Sequence, residues 1–212
     1  MTVHRTLLAS FALLSVLVRP AATAKAPDAG GFLQRWMILE PIGVAGQLTD
    51  GAVRTLVKTA HFPDQFTIVP RDGDRVTVGS AELKWHTVDT ARYNVNLYHF
   101  AYGLKKPTSN VLFWIVTVVE SPREMSGVRL AIGSNAASVW WVNGQEVIGI
   151  YGERQTTIDD GVSKRLTLKK GANVIRGAVI NAGGQTDFCA RFLDANDKPL
   201  MKLTLSVGDL KK

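Results

Sequence analysis

The dipeptide Asn143-Gly144 constrains this chain more than any other feature. It sits between two apolar, β-branched runs, 138–142 and 145–150. A two-residue type I′ turn needs two positive φ angles, and Asn followed by Gly accepts them at little cost. The pattern therefore predicts a tight antiparallel hairpin. Around it, strand-like segments recur at roughly ten-residue spacing, each closed by turn residues. They cover 75–78, 83–88, 111–119, 128–132, 162–168, 172–180, 186–193 and 200–207. The run 111–119 is rich in β-branched and aromatic types and is the clearest strand. An apolar opening segment from Phe32 to Ile42 reads as a buried strand interrupted by Pro41. Residues 93–102 alternate as a strand would, with a helix as the other reading. One helix is evident over 46–61: Thr49 is its N-cap candidate, and Val53, Leu56, Val57 and Ala60 share a face before Pro63 closes it. Many strands and little helix define a mainly β protein, a β-sandwich or jelly roll.

The first 24 residues follow a different logic. His4 and Arg5 precede an apolar run, 7–18, that is shorter than the ~20 residues a bilayer span needs. Pro20 and the small residues Ala22-Thr23-Ala24 then fit a cleavage site before Lys25. Residues 1–24 are expected to be a secretory signal peptide, which places the mature chain in the periplasm or outside the cell. No lipobox cysteine and no later apolar span is present, so no membrane anchor is expected. Residues 25–31 are expected to be a flexible lead, and 32–208 a single β-sandwich domain.

Charge and cysteine content narrow the partners. The 25 basic and 18 acidic side chains give +7. Arg5 and Arg19 leave with the leader, which carries no acid, so the mature charge is about +5. The basic residues are scattered, with no run longer than two, as on a solvated surface; no nucleic-acid partner is expected. The single cysteine, Cys189, lies in an alternating run and reads as a small buried hydrophobe.

Specific residues carry a resemblance. The segments Phe32-Leu33-x-x-Trp36-x-Ile38-Leu39-x-Pro41-Ile42, Val128-Arg129-Leu130-Ala131-Ile132-Gly133-Ser134 and 139–147 are its first three parts. The pairs around Leu166-Thr167-Leu168-Lys169-Lys170-Gly171 and Phe188-x-Ala190-Arg191-Phe192-x-Asp194 complete it. Together they resemble the galactose-binding-domain-like jelly rolls of secreted bacterial carbohydrate-active proteins. The resemblance implies a β-sandwich that binds a polysaccharide or oligosaccharide, with calcium as a cofactor the fold allows. Relatives often have Gly-Ser-Asp-Asp-Gly where this chain has Gly133-Ser134-Asn135-Ala136-Ala137, so two carboxylates that could serve a ligand or calcium are missing.

Catalytic signals are sparse. There is no G-x-S-x-G, and Gly133-Ser134 is half of such an elbow with no helix after it. His61, His86 and His99 lack metal-ligand spacing. Asp159-Asp160 precedes Gly161 and reads as a turn. Binding chemistry is better represented, because sugars stack flat C–H faces on aromatics and offer hydroxyls to polar side chains. Tyr151, Glu153 and Arg154 follow a hairpin strand and combine an aromatic, an acid and a base. Trp85, His86, Trp141 and Asn181 (near Gln185 and Asp187) complete the ligand-binding candidates. Trp140 and Trp141 must point to opposite faces; one is core, the other packed or open to a ligand. Trp36 and Trp114 read as core. An open aromatic face would favour sugar binding, and burial of all five tryptophans would weaken it. Three functions follow: a secreted non-catalytic carbohydrate-binding or interaction module, a carbohydrate esterase of acetylxylan-esterase type or glycoside-hydrolase accessory protein, and a structural envelope protein with a protein partner.

Overall fold

The structure, a computed structural model, describes residues 24–45 and 47–208. The expected signal peptide lies outside these residues except for Ala24. Strands β1 (Arg35–Leu39) and β2 (Ile42–Gly43) open the domain, and Pro41 separates them. Helix α1 (Asp50–Lys58) follows Thr49 as N-cap. It is shorter than the periodicity suggests: Thr59 is already extended, so the apolar stripe stops at Val57. Then come β3 (Arg75–Val78), β4 (Ala81–Asp89) and the two-residue β5 (Val95–Asn96). Helix α2 (Leu97–Gly103) occupies most of the segment whose alternation suggested a strand. The Asn96 side chain caps it by accepting from the His99 N–H at 2.7 Å.

Most of the remaining strands match expectation, but the expected 200–207 shortens to Thr204–Ser206. They are β6 (Val111–Ser121), β7 (Met125–Ser134), β8 (Ala137–Val142) and β9 (Gln145–Ile150). Asn143 and Gly144 have φ of 51° and 83°, as the type I′ turn requires. The expected strand 162–168 is split into β10 (Gly161–Val162) and β11 (Leu166–Leu168). Ser163 causes the break, because its hydroxyl accepts from the Leu130 N–H at 2.9 Å. The chain closes with β12 (Gly171–Asn181), β13 (Asp187–Leu193) and β14 (Thr204–Ser206).

These strands form two antiparallel sheets, so the mainly β sandwich is the observed architecture. The large sheet runs β3-β4-β1-β6-β12-β8-β9, with β2 and β14 also paired to β6. The small sheet runs β10-β7-β13-β5, with β11 beside β7. One whole edge of β6 pairs with β12 from Val111↔Asn181 to Ser121↔Gly171. Its other edge holds β2, β1 and β14 end to end. Both faces of β6 are covered, which is why its sequence is almost continuously apolar.

Between the sheets lie Trp36, Phe113, Ile115, Val119, Trp140, Phe188 and Phe192, all fully buried. Phe188 of the small sheet meets Trp36 and Trp140 of the large one at ring-centroid distances of 5.1 and 5.2 Å. The outward face of the large sheet is covered by α1 and the residues around Phe62 and Ile68, which bury Leu112, Trp114, Val116 and Trp141. Trp140 and Trp141 thus point to opposite faces, and both are packed. The expected lead is tied down: Lys25 pairs with Leu205, and the Asp28 carboxylate accepts from the Gly30 and Phe32 N–H groups, each at 2.9 Å.

Candidate functional site: a polar cleft at one end of the sandwich

Four connections gather at one end of the sandwich. They are the β4–β5 turn (90–94), the β7–β8 turn (135–136), the long β9–β10 segment (151–160) and the β12–β13 loop (182–186). Between them lie two adjoining hollows of about 510 and 490 Å³. Asn135, Arg154, Gln155 and Gln185 line both.

Asn135 holds the centre. Its Oδ1 accepts from the Asp187 N–H at 3.1 Å and its Nδ2 donates to the Gln185 carbonyl at 2.6 Å. A carboxylate at this position could only accept, so the amide suits this two-way role. Asp187 is fixed in turn: Oδ2 accepts from Asn94 Nδ2 at 2.6 Å, and Oδ1 accepts from the Thr156 hydroxyl. Arg154 braces its own segment, donating to the Tyr151 carbonyl at 2.7 Å and to Asp160 at 2.6 Å. The frame of the cleft is therefore cross-linked by hydrogen bonds. The exposed side chains of Glu153, Gln155 and Gln185 have no side-chain hydrogen-bond partner among the described residues and remain available to a ligand. At the rim the Tyr93 ring is 42 % exposed and rests on Phe32 at 5.6 Å between centroids.

Three of the residues expected to bind ligand meet here: Glu153, Arg154 and Asn181. Asn181 is 2 % exposed and ties down the connections, donating to the Thr108 carbonyl at 2.7 Å and accepting from the Gly183 N–H. The others lie elsewhere. Trp85 and Trp141 are buried beneath the outer cover of the large sheet. His86 sits 3.2 Å from Glu40, which also binds Lys106 at 2.9 Å. Burial alone would raise the Glu40 carboxyl, but the hydrogen bonds from Lys106 and His86 bring it below the ordinary carboxylate value. Tyr151 folds back under Arg54, 5.3 Å from ring centroid to guanidinium, in space that Gly149 leaves free. Its hydroxyl is buried, which pushes the phenol pKa up.

All five tryptophans are buried, so no indole face is open to a sugar. The cleft's aromatic is Tyr93, which the sequence reading passed over. A tyrosine within the polar turn Thr90-Ala91-Arg92-Tyr93-Asn94 was the available signal. No three His, Cys, Asp or Glu side chains among the described residues are placed to hold a metal ion. Calcium needs six to eight oxygen ligands, and the cleft offers two carboxylates, one of them committed to Asn94 and Thr156.

The fold and the cleft define a β-sandwich module with its polar face on end loops. Comparison with known proteins adds the following. No family model matches the chain, and no curated protein matches it. Among solved structures, it is similar to a PA14 sugar-binding domain from an RTX adhesin, at 11 % identity and TM-score 0.49, over 83 % of this chain and 100 % of that one. It is similar to the PA14 domain of the MpAFP antifreeze protein, at 12 % identity and TM-score 0.45, over 82 % and 92 %. A third is an anti-sigma factor domain-containing protein from Clostridium clariflavum, at 9 % identity and TM-score 0.45, over 85 % and 49 %. The first two bear the PA14 name and not that of the galactose-binding-like jelly rolls.

Proposed function

We propose that this protein is an exported, non-catalytic carbohydrate-binding module whose ligand face is the end cleft. The observation that carries the reading is the placement of the exposed Tyr93 ring beside the Gln155 and Gln185 amides, unpartnered among the described residues. An aromatic face receives the C–H side of a pyranose, while the amides serve its hydroxyls. Loops already tied to one another by hydrogen bonds lower the ordering cost of binding. Export rests on the leader-like residues 1–24, and a plant or bacterial polysaccharide is the expected ligand class.

Pull-down on insoluble polysaccharides and titration with soluble ones, with and without calcium, test this reading. Binding is expected, and Tyr93→Ala should weaken it about ten-fold, the upper range for one stacking contact. Failure to bind any glycan in either condition would sink it. Release of acetate from acetylated xylan would instead support the esterase reading. Mass spectrometry of the exported protein is expected to find Lys25 at its start; retained Met1 would overturn the export step.

A further inference from the structure

At the far end of the sandwich from the cleft, next to the Asn143-Gly144 turn, a hollow of about 370 Å³ opens on the outward face of the large sheet. Arg176 of β12 forms part of its wall and is only 3 % exposed. Such a guanidinium is normally matched by a carboxylate, because burying an unpaired charge is costly. Here it has none: among the described residues no acidic side chain lies within ion-pair distance. Nη2 donates to the Ile68 carbonyl at 2.6 Å, whereas Nη1 is buried with no hydrogen-bond partner. Burial pulls the Arg176 pKa down to about 10, so the group still carries its charge at neutral pH. Lys169 lines the same hollow, and its ammonium also has no acidic partner among the described residues. Phe66 forms a further wall, 40 % exposed and packed edge-on against Trp114 and Trp141 at 5.5 and 5.8 Å.

We propose that this hollow is a binding site for a small ring-bearing carboxylate, held by Arg176 and Lys169 with Phe66 against its ring. Two cationic donors without an acid, one of them already desolvated, match the two oxygens of one carboxylate. Nη2 spends one of its N–H groups on the Ile68 carbonyl, Nη1 is the buried donor left without a partner among the described residues, and Lys169 supplies the second contact. Phe66 provides an apolar wall for a sugar-sized ring, and the lining of the hollow must open locally for the ligand to reach the buried Nη1. The site is separate from the end cleft and does not depend on the function proposed for it.

The test titrates the full mature chain with sodium glucuronate, with glucose, inorganic phosphate and sodium chloride at matched ionic strength as controls. Calorimetry and thermal melting provide the readouts. One-to-one saturable binding of glucuronate is expected, with no response to glucose. Lys169→Met should weaken it about ten-fold, the size of one charge-assisted hydrogen bond, and Arg176→Met should abolish it. Tyr93→Ala should leave it unchanged, which separates this site from the cleft. If Arg176→Met does not fold, nitrogen NMR of the arginine guanidinium groups replaces it: glucuronate must shift the Arg176 Nη signals. Absence of saturable binding, equal binding by Lys169→Met, unshifted Arg176 signals, or an equal response to phosphate would each overturn the proposal.

Discussion

The two faces of the large sheet are both aromatic and both buried, yet they treat their polar atoms differently. On the face toward the small sheet, Trp36 Nε1 donates to the Leu33 carbonyl at 2.7 Å and Trp140 Nε1 to the Ser138 hydroxyl at 2.9 Å. On the outward face, the Nε1 atoms of Trp85 and Trp114, the Tyr151 hydroxyl and Arg176 Nη1 are all buried without a partner. The inner face is packed between two sheets, and both of its indole N–H groups find acceptors there. The outer one is covered by a nine-residue helix and irregular chain, which exclude water without supplying matched acceptors. An unpaired buried donor costs about 1–3 kcal/mol, so the cover carries a desolvation cost that the inner face avoids, and it is the face with chemistry left to use.

The contrast can be attacked where it is deepest. Trp140→Ala should cost about 3–5 kcal/mol in urea unfolding, because it empties the junction between the sheets; a loss below 1 kcal/mol would mean the inner face is not the stabilising one. A second probe lies on β13, where Cys189 is 1 % exposed. Burial, opposed by the Gly133 backbone, raises its thiol from 9.0 to about 11. The folded protein therefore keeps a proton that the unfolded chain releases. Stability from this group is full below pH 9 and lost as pH rises towards 11, by roughly 2–3 kcal/mol. Cys189→Ala should flatten that part of the stability profile.

Smaller effects sharpen the comparison. A Cβ at Gly177 would lie 2.7 Å from Trp140 Cζ3 and 2.8 Å from Ile115 Cγ1, both in the inner core. Gly177→Ala should cost about 1–3 kcal/mol by overpacking, read as a lowered urea midpoint. The finest test compares Trp36→Phe with Trp85→Phe. Both lose similar ring volume, but only the first breaks a hydrogen bond. Trp36→Phe should be worse by about 1 kcal/mol; equal costs would erase the distinction between the faces.

What was legible in the sequence was local. Asn143-Gly144 dictates its turn within two residues, and β6 declares itself because all its positions but Glu120 are buried. Leu97–Gly103 was less legible, since its helix depends on docking: the Leu97 and Tyr98 N–H groups donate to the Thr186 carbonyl, far along the chain. The same holds for the cleft. Glu153 and Arg154 were visible as polar loop residues, whereas Tyr93 became a rim residue only when Asn94 met Asp187, 93 positions away. Trp85 and Trp141 misled for the converse reason: nothing in the local pattern shows that α1 and Phe62 will close over them.

The edge of β6 shared by β2, β1 and β14 has a consequence of its own. Lys25 and Leu205 exchange backbone hydrogen bonds of 3.0 and 2.6 Å, so the two ends of the described domain leave it side by side. A unit with that geometry can be spliced into an exposed loop of a host protein as a pendant, without stretching the host open. It can equally be joined end to end and reopened at Asn143-Gly144, giving a permuted chain with the same sandwich.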